Sequence, residues 1–141
     1  MKKMRMSNAV EHLNPDGLHK NPAFTQAVRV APNVATIYVG GQNAVDRSGN
    51  IVGEGDIGAQ TEVALRNLET ALKAGGAELH DVIKWNVYIV AGQSAHAGFA
   101  AFQRVWGRRP NPPVITGVLV AAWAHPDSLV EIDAVAVVPM D

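Results

Sequence analysis

The stretch Val114-Ile115-Thr116-Gly117-Val118-Leu119-Val120 is short and rich in β-branched residues, which reads as a strand. Side chains alternate across a strand. Here Val114, Val118 and Val120 point one way while Ile115, Leu119 and Ala121 point the other, so both faces are apolar. Such a strand has to be covered on two sides. After an Ala-His-Pro-Asp break comes Leu129-Val130-Glu131-Ile132-Asp133-Ala134-Val135-Ala136, a second strand that reads as the neighbour of the first. Glu131 and Asp133 interrupt it. Carboxylates are costly to bury, so two of them within an apolar strand either face water or are held for a task.

The rest of the chain supplies cover for one side only. From Asp56 the period changes: Thr61, Ala64, Leu65, Leu68, Ala71 and Leu72 share one helical face. Asp56 is placed to cap this helix, and Gly75-Gly76 supplies a left-handed exit. Val82 to Val90 reads as a strand with Val82, Lys84, Asn86 and Tyr88 on one face and Ile83, Trp85, Val87 and Ile89 on the other. Ala95, Gly98, Phe99, Phe102, Val105 and Trp106 define a second helix, started by Ser94 and ended by Gly107 and a Pro-rich loop. Upstream, Phe24 to Val30 and Thr36 to Gly40 read as a hairpin turning at Ala31-Pro32-Asn33. The order β-β-α-β-α-β-β predicts an α+β fold, a mixed sheet with two helices on one face. An apolar sheet face left bare is a sticky patch on a monomer, which implies a subunit interface.

A chain of 141 residues with 48% hydrophobic residues fits one domain around one core. Residues 1–20 are expected to form a flexible segment and 21–141 the domain, with a turn at Asn14-Pro15-Asp16-Gly17. A net charge of −1 and a pI near 6.5 argue against a broad nucleic-acid or anionic-membrane footprint. Small molecules and proteins fit better as partners. Without cysteine there is no disulfide, thiolate or Cys-based zinc site, as suits a reducing compartment. The run Val114 to Ala124 falls far short of the roughly 20 residues of a membrane span. The basic Met1-Lys2-Lys3-Met4-Arg5-Met6 is followed by Ser7-Asn8-Ala9-Val10-Glu11-His12 rather than an apolar core, so no export signal is read and a cytoplasmic location is expected. His12, His19, His80, His96 and His125 show no metal-ligand spacing.

Several of these pieces, in this order, resemble the Rid family, also called YjgF/YER057c/UK114. They are Phe24-Thr25-Gln26-Ala27-Val28, Tyr38-Val39-Gly40-Gly41-Gln42, Gln60 to Gly76, Asp81 to Tyr88, and Leu129 to Ala136. The resemblance covers roughly residues 20 to 138. It implies a fold like that of the small chorismate mutases, a homotrimer whose sheets pack in a central barrel, and a small-molecule pocket at each subunit interface. It also implies hydrolysis of reactive enamines and imines, such as 2-aminoacrylate, to 2-keto acids and ammonia without a cofactor. In that chemistry an Arg at the start of the Val114 strand grips the substrate carboxylate, and a Glu on the last strand, here Glu131, positions water. Where such members read Pro-x-Arg-Ser/Thr this chain reads Pro113-Val114-Ile115-Thr116, and between Pro110 and Asp141 it contains no Arg or Lys. Phe24 replaces a common Tyr, Gln103 an Asn and Gly117 a Cys. Phe24, Gly41, Gln103, Ile115 and Gly117 are thus the candidate substrate-binding residues and Glu131 the candidate catalytic one. Weak or absent 2-iminopropionate hydrolysis is expected.

Each candidate has a plainer alternative. Glu131 and Asp133 share a strand face and form either an acid and base pair or a solvent-facing or intersubunit hydrogen-bond set. Gly40-Gly41-Gln42 offers backbone amides to an oxyanion, or merely bulges. Arg108 and Arg109 reach back over a pocket mouth or lie solvated in their loop. Trp85 and Trp106 read as core, and Trp123 as core or a stacking platform. Some members of the family carry an endoribonuclease label, but this chain shows no basic stripe with interleaved aromatics.

Overall fold

The computed structural model describes residues 9–140. Its elements are strands β1 (Val10–Leu13), β2 (Ala27–Val30) and β3 (Val34–Gln42), helix α1 (Ile57–Ala74), a 3-10 turn (Leu79–Asp81), strand β4 (Val82–Val90), helix α2 (Ala95–Trp106), and strands β5 (Val114–Val120) and β6 (Val130–Pro139). The four-stranded sheet runs in the order β3-β6-β4-β5, with only β4 and β5 parallel. This is the expected mixed α+β architecture, with one strand more than expected.

Both helices begin where local chemistry dictates. The Asp56 carboxylate accepts from the Ala59 amide at 3.0 Å, and the Ser94 hydroxyl accepts from the Ala97 amide at 3.1 Å, each satisfying a donor that the first turn leaves unpaired. At the other end of α1, Gly76 takes φ 82°, a conformation that glycine adopts without steric cost. The apolar stripes of both helices face the same side of the sheet. Leu65, Leu68 and Leu72 of α1 and Phe102, Val105 and Trp106 of α2 close over Trp85, Ile132, Ala134 and Ala136. Trp85 meets Phe102 and Trp106 edge-on at 5.7 and 6.2 Å between ring centroids, so Trp85 and Trp106 are core residues.

Three expectations about strands change. Phe24–Val30 and Thr36–Gly40 do not form a hairpin: β2 pairs with β1, Leu13 opposite Ala27, and β3 pairs with β6. β1 itself lies in the segment expected to precede the fold. Second, β5 and β6 are not neighbours, because β4 lies between them and pairs with both. Crossing over α2 lets β5 run parallel to β4 at the sheet edge. Third, Val82 does not share a face with Lys84. A register shift between them changes the phase of alternation, and Val82 joins Trp85 in the core.

No helix among the described residues is long and apolar enough to cross a membrane.

Candidate functional site

Among the described residues both helices lie on one face of the sheet and none on the other, and strand parity decides which candidate residue goes where. On β6, Val130, Ile132 and Ala134 are buried under the helices. Glu131 and Asp133 therefore point to the bare face. On β5, Ile115 packs toward the core with Val87 and Ile89, which puts Ile115 and Gly117 on the helix face. The candidate residues thus separate into two groups on opposite sides of one sheet.

On the helix face, Ile115 lines a cleft of about 250 Å³ between α2, α1 and strands β4 to β6, with Thr61, Val87, Phe99, Phe102 and Ile132 among its walls. None of its lining residues is charged. Its one hydroxyl, on Thr61, donates to the Ile57 carbonyl at 2.7 Å within the helix and so is spent. Phe99 forms the mouth and also borders a shallower groove shared by Phe24 and Gln103. Phe24 is brought there by its neighbour: the Thr25 hydroxyl and amide donate to the carbonyls of Pro112 and Pro113, immediately before β5. Gly117 is exposed, and a Cβ on it would meet open space.

The bare face holds a polar cluster. Asp133 accepts from the Asn86 amide at 2.7 Å and from the Tyr88 hydroxyl at 3.3 Å, across a register that sets Asn86 opposite Asp133 and Tyr88 opposite Glu131. Burial raises the Glu131 carboxyl above its usual range, and the nearby Asp133 charge raises it further. Tyr88 is likewise raised, first by the Asp133 charge and then by burial, the bond to Asp133 and Glu131. Gly41 lies against Glu131, and any Cβ at this position would overlap the carboxylate. The glycine is therefore a condition of where Glu131 sits. Trp123 packs edge-on against Tyr88 at 5.7 Å.

Neither loop arginine enters the cleft. Arg109 donates to the Val105 and Trp106 carbonyls at 3.0 and 2.6 Å and lies over the Trp106 ring, 5.5 Å from its centroid. It terminates α2 and holds the indole. Arg108 is exposed. Arg104 of α2 points to Glu62, 3.6 Å away.

Asn86, Tyr88, Gly98 and Phe99 belong to these surroundings without having been singled out as site residues. Asn86 and Tyr88 carry the signal of polar side chains in step on an otherwise apolar strand. Reading that signal as a network with Asp133 needs the β4–β6 register, which is not local in sequence.

Comparison with known proteins matches residues 18–138 to the model of a family described as endoribonuclease L-PSP. Protein DfrA of Myxococcus xanthus is 32% identical over 116 residues, 81% of this chain and 84% of that protein. A RutC family protein of Synechocystis is 33% identical, over 73% of this chain and 78% of its own. Among solved structures, a Rid family protein of unknown function from Yersinia pestis superposes with TM-score 0.79 at 28% identity, covering 91% of this chain and 98% of that one. A YjgF/YER057c/UK114 family member from Mycobacterium tuberculosis does so with TM-score 0.60 at 34% identity, over 81% and 86%.

Proposed function

The chain belongs to the Rid (YjgF/YER057c/UK114) family, and we propose that it acts as a homotrimer binding a small metabolite in pockets between subunits, with little or no 2-iminopropionate hydrolysis. The observation that carries this reading is the environment of Ile115. It stands in an uncharged cleft where the family's chemistry calls for a cation. Losing a bidentate contact to a carboxylate weakens binding of substrate and transition state by about 2 to 5 kcal/mol. The division of candidates between two faces supports the assembly. Glu131 of one copy and the Ile115 cleft of another can meet across an interface, whereas within one chain the sheet separates them. Tyr38, 79% exposed on the bare face, and Val118, 42% exposed, are surfaces that such packing would cover.

The test is ammonia or pyruvate release from freshly generated 2-aminoacrylate, with sedimentation to count subunits. Wild-type protein should turn over slowly, and Ile115→Arg should raise kcat/KM by at least about thirtyfold, the equivalent of about 2 kcal/mol. Wild-type turnover matching that of an arginine-bearing family member would overturn the reading.

Glu131 favours a second reading, an imine or enamine deaminase for a substrate lacking the usual carboxylate. A carboxyl raised above its usual range by burial and by Asp133, positioned against Gly41, holds its proton more firmly than an exposed carboxylate and so suits proton relay. Water adds to the imine carbon, Glu131 relays a proton to nitrogen, and the carbinolamine breaks its C–N bond to leave a carbonyl product and ammonia. Turnover of neutral imines that Glu131→Gln abolishes would distinguish this from binding alone. The net charge of −1 supports a small molecule over RNA in either case.

A further inference from the structure

The cleft beside Ile115 constrains its occupant more tightly than the absence of an arginine does. Its volume is about 250 Å³, and an apolar cavity of roughly 150 Å³ accommodates benzene. A single aromatic ring leaves room to spare, and a fused bicyclic ring fits. The walls offer no free hydrogen-bond donor: the Thr61 hydroxyl is committed to Ile57, and the rest are aliphatic or phenyl carbons and a glycine. A carboxylate placed here would lose its hydration and gain no partner, which costs several kcal/mol.

Gly98 of α2 lines the cleft with no side chain of its own. A Cβ at this position would sit 3.6 Å from the Thr61 hydroxyl oxygen, 3.7 Å from Ile57 and 4.0 Å from Ile89. A methyl would be accepted in ordinary contact, while a longer side chain has to extend into the cleft. Phe99 follows in sequence, half-exposed at the mouth with its ring available to a flat ligand.

We propose that this cleft is a specificity pocket for the uncharged aromatic or branched-alkyl part of the ligand, with Gly98, Phe99 and Ile115 as its determinants. The substrate class is then a neutral imine or enamine bearing a phenyl-sized to indole-sized substituent. The proposal rests on the interfacial-pocket reading for the reacting end of the ligand, but the cleft lies within one chain and can be tested alone.

Indole and benzoate are matched probes, similar in size and different in charge. Titration followed by NMR at pH 7 should show indole binding and benzoate at least tenfold weaker. Gly98→Leu should weaken indole at least tenfold, and Gly98→Ala by no more than a few-fold, both with an unchanged circular dichroism spectrum. Gly98→Ala keeps the test open if the leucine variant fails to fold. Benzoate binding as well as indole, indole failing to bind, or Gly98→Leu binding it like wild type would each overturn the proposal. Sedimentation of the same samples separates the two readings. A trimer that ignores indole removes the pocket and spares the assembly, and a monomer that binds indole does the reverse.

Discussion

Glu131 is the residue whose surroundings have the clearest consequence. Its carboxyl is raised by burial and by Asp133, so folding favours the protonated form. For a group with a raised folded pKa the contribution to stability is full below the unfolded value and is lost as pH rises through the folded one. Glu131→Gln should therefore match wild type in urea unfolding below pH 4 and exceed it at pH 7. The gain should not pass about 1 kcal/mol, because much of the side chain is solvent-screened. Asp133→Asn should lower the Glu131 pKa in an NMR titration by removing the charge. The unusual setting of Glu131 was legible from two carboxylates in an apolar strand. That Asp133 is held by Asn86 and Tyr88 was not, since it depends on which strand lies alongside.

At the scale of elements, the helices and their caps were readable because each is decided within a few residues, by Asp56, Ser94 and a glycine after the last turn. Strand order was not. The Ala31-Pro32-Asn33 turn suggested a hairpin, yet β3 finds its partner in β6, roughly a hundred residues away in sequence. One buried side chain does much to fix β6. The amide of Gln60, fully buried in α1, donates to the Gly53 and Asp127 carbonyls at 3.2 and 3.0 Å and accepts from the Leu129 amide at 2.9 Å. It ties the helix to the entrance of the strand that carries Glu131. Gln60→Leu keeps the volume but orphans these backbone groups, and should cost about 2 to 4 kcal/mol in urea unfolding.

Among the described residues, the four-stranded sheet has one face closed over a core and no helix on the other. Apolar alternation in the Val114 strand anticipated that two faces needed cover, but not how unevenly they would receive it. Leu119, on the helix side by strand parity, remains 65% exposed. Ile115, four residues earlier, packs against the core cluster. Strand parity makes adjacent residues strangers: Glu131 and Ile132 are consecutive, yet one belongs to the bare face and the other to the cleft. In the closed ring proposed above, which joins unlike faces, damage to the two faces would not be shared. A Glu131→Gln copy still supplies an intact cleft, and a Gly98→Leu copy an intact carboxylate. On the neutral-imine reading, co-refolding the two should raise turnover above that of either variant alone, with up to about a quarter of the sites left whole by random mixing. Two broken proteins would then make a working one.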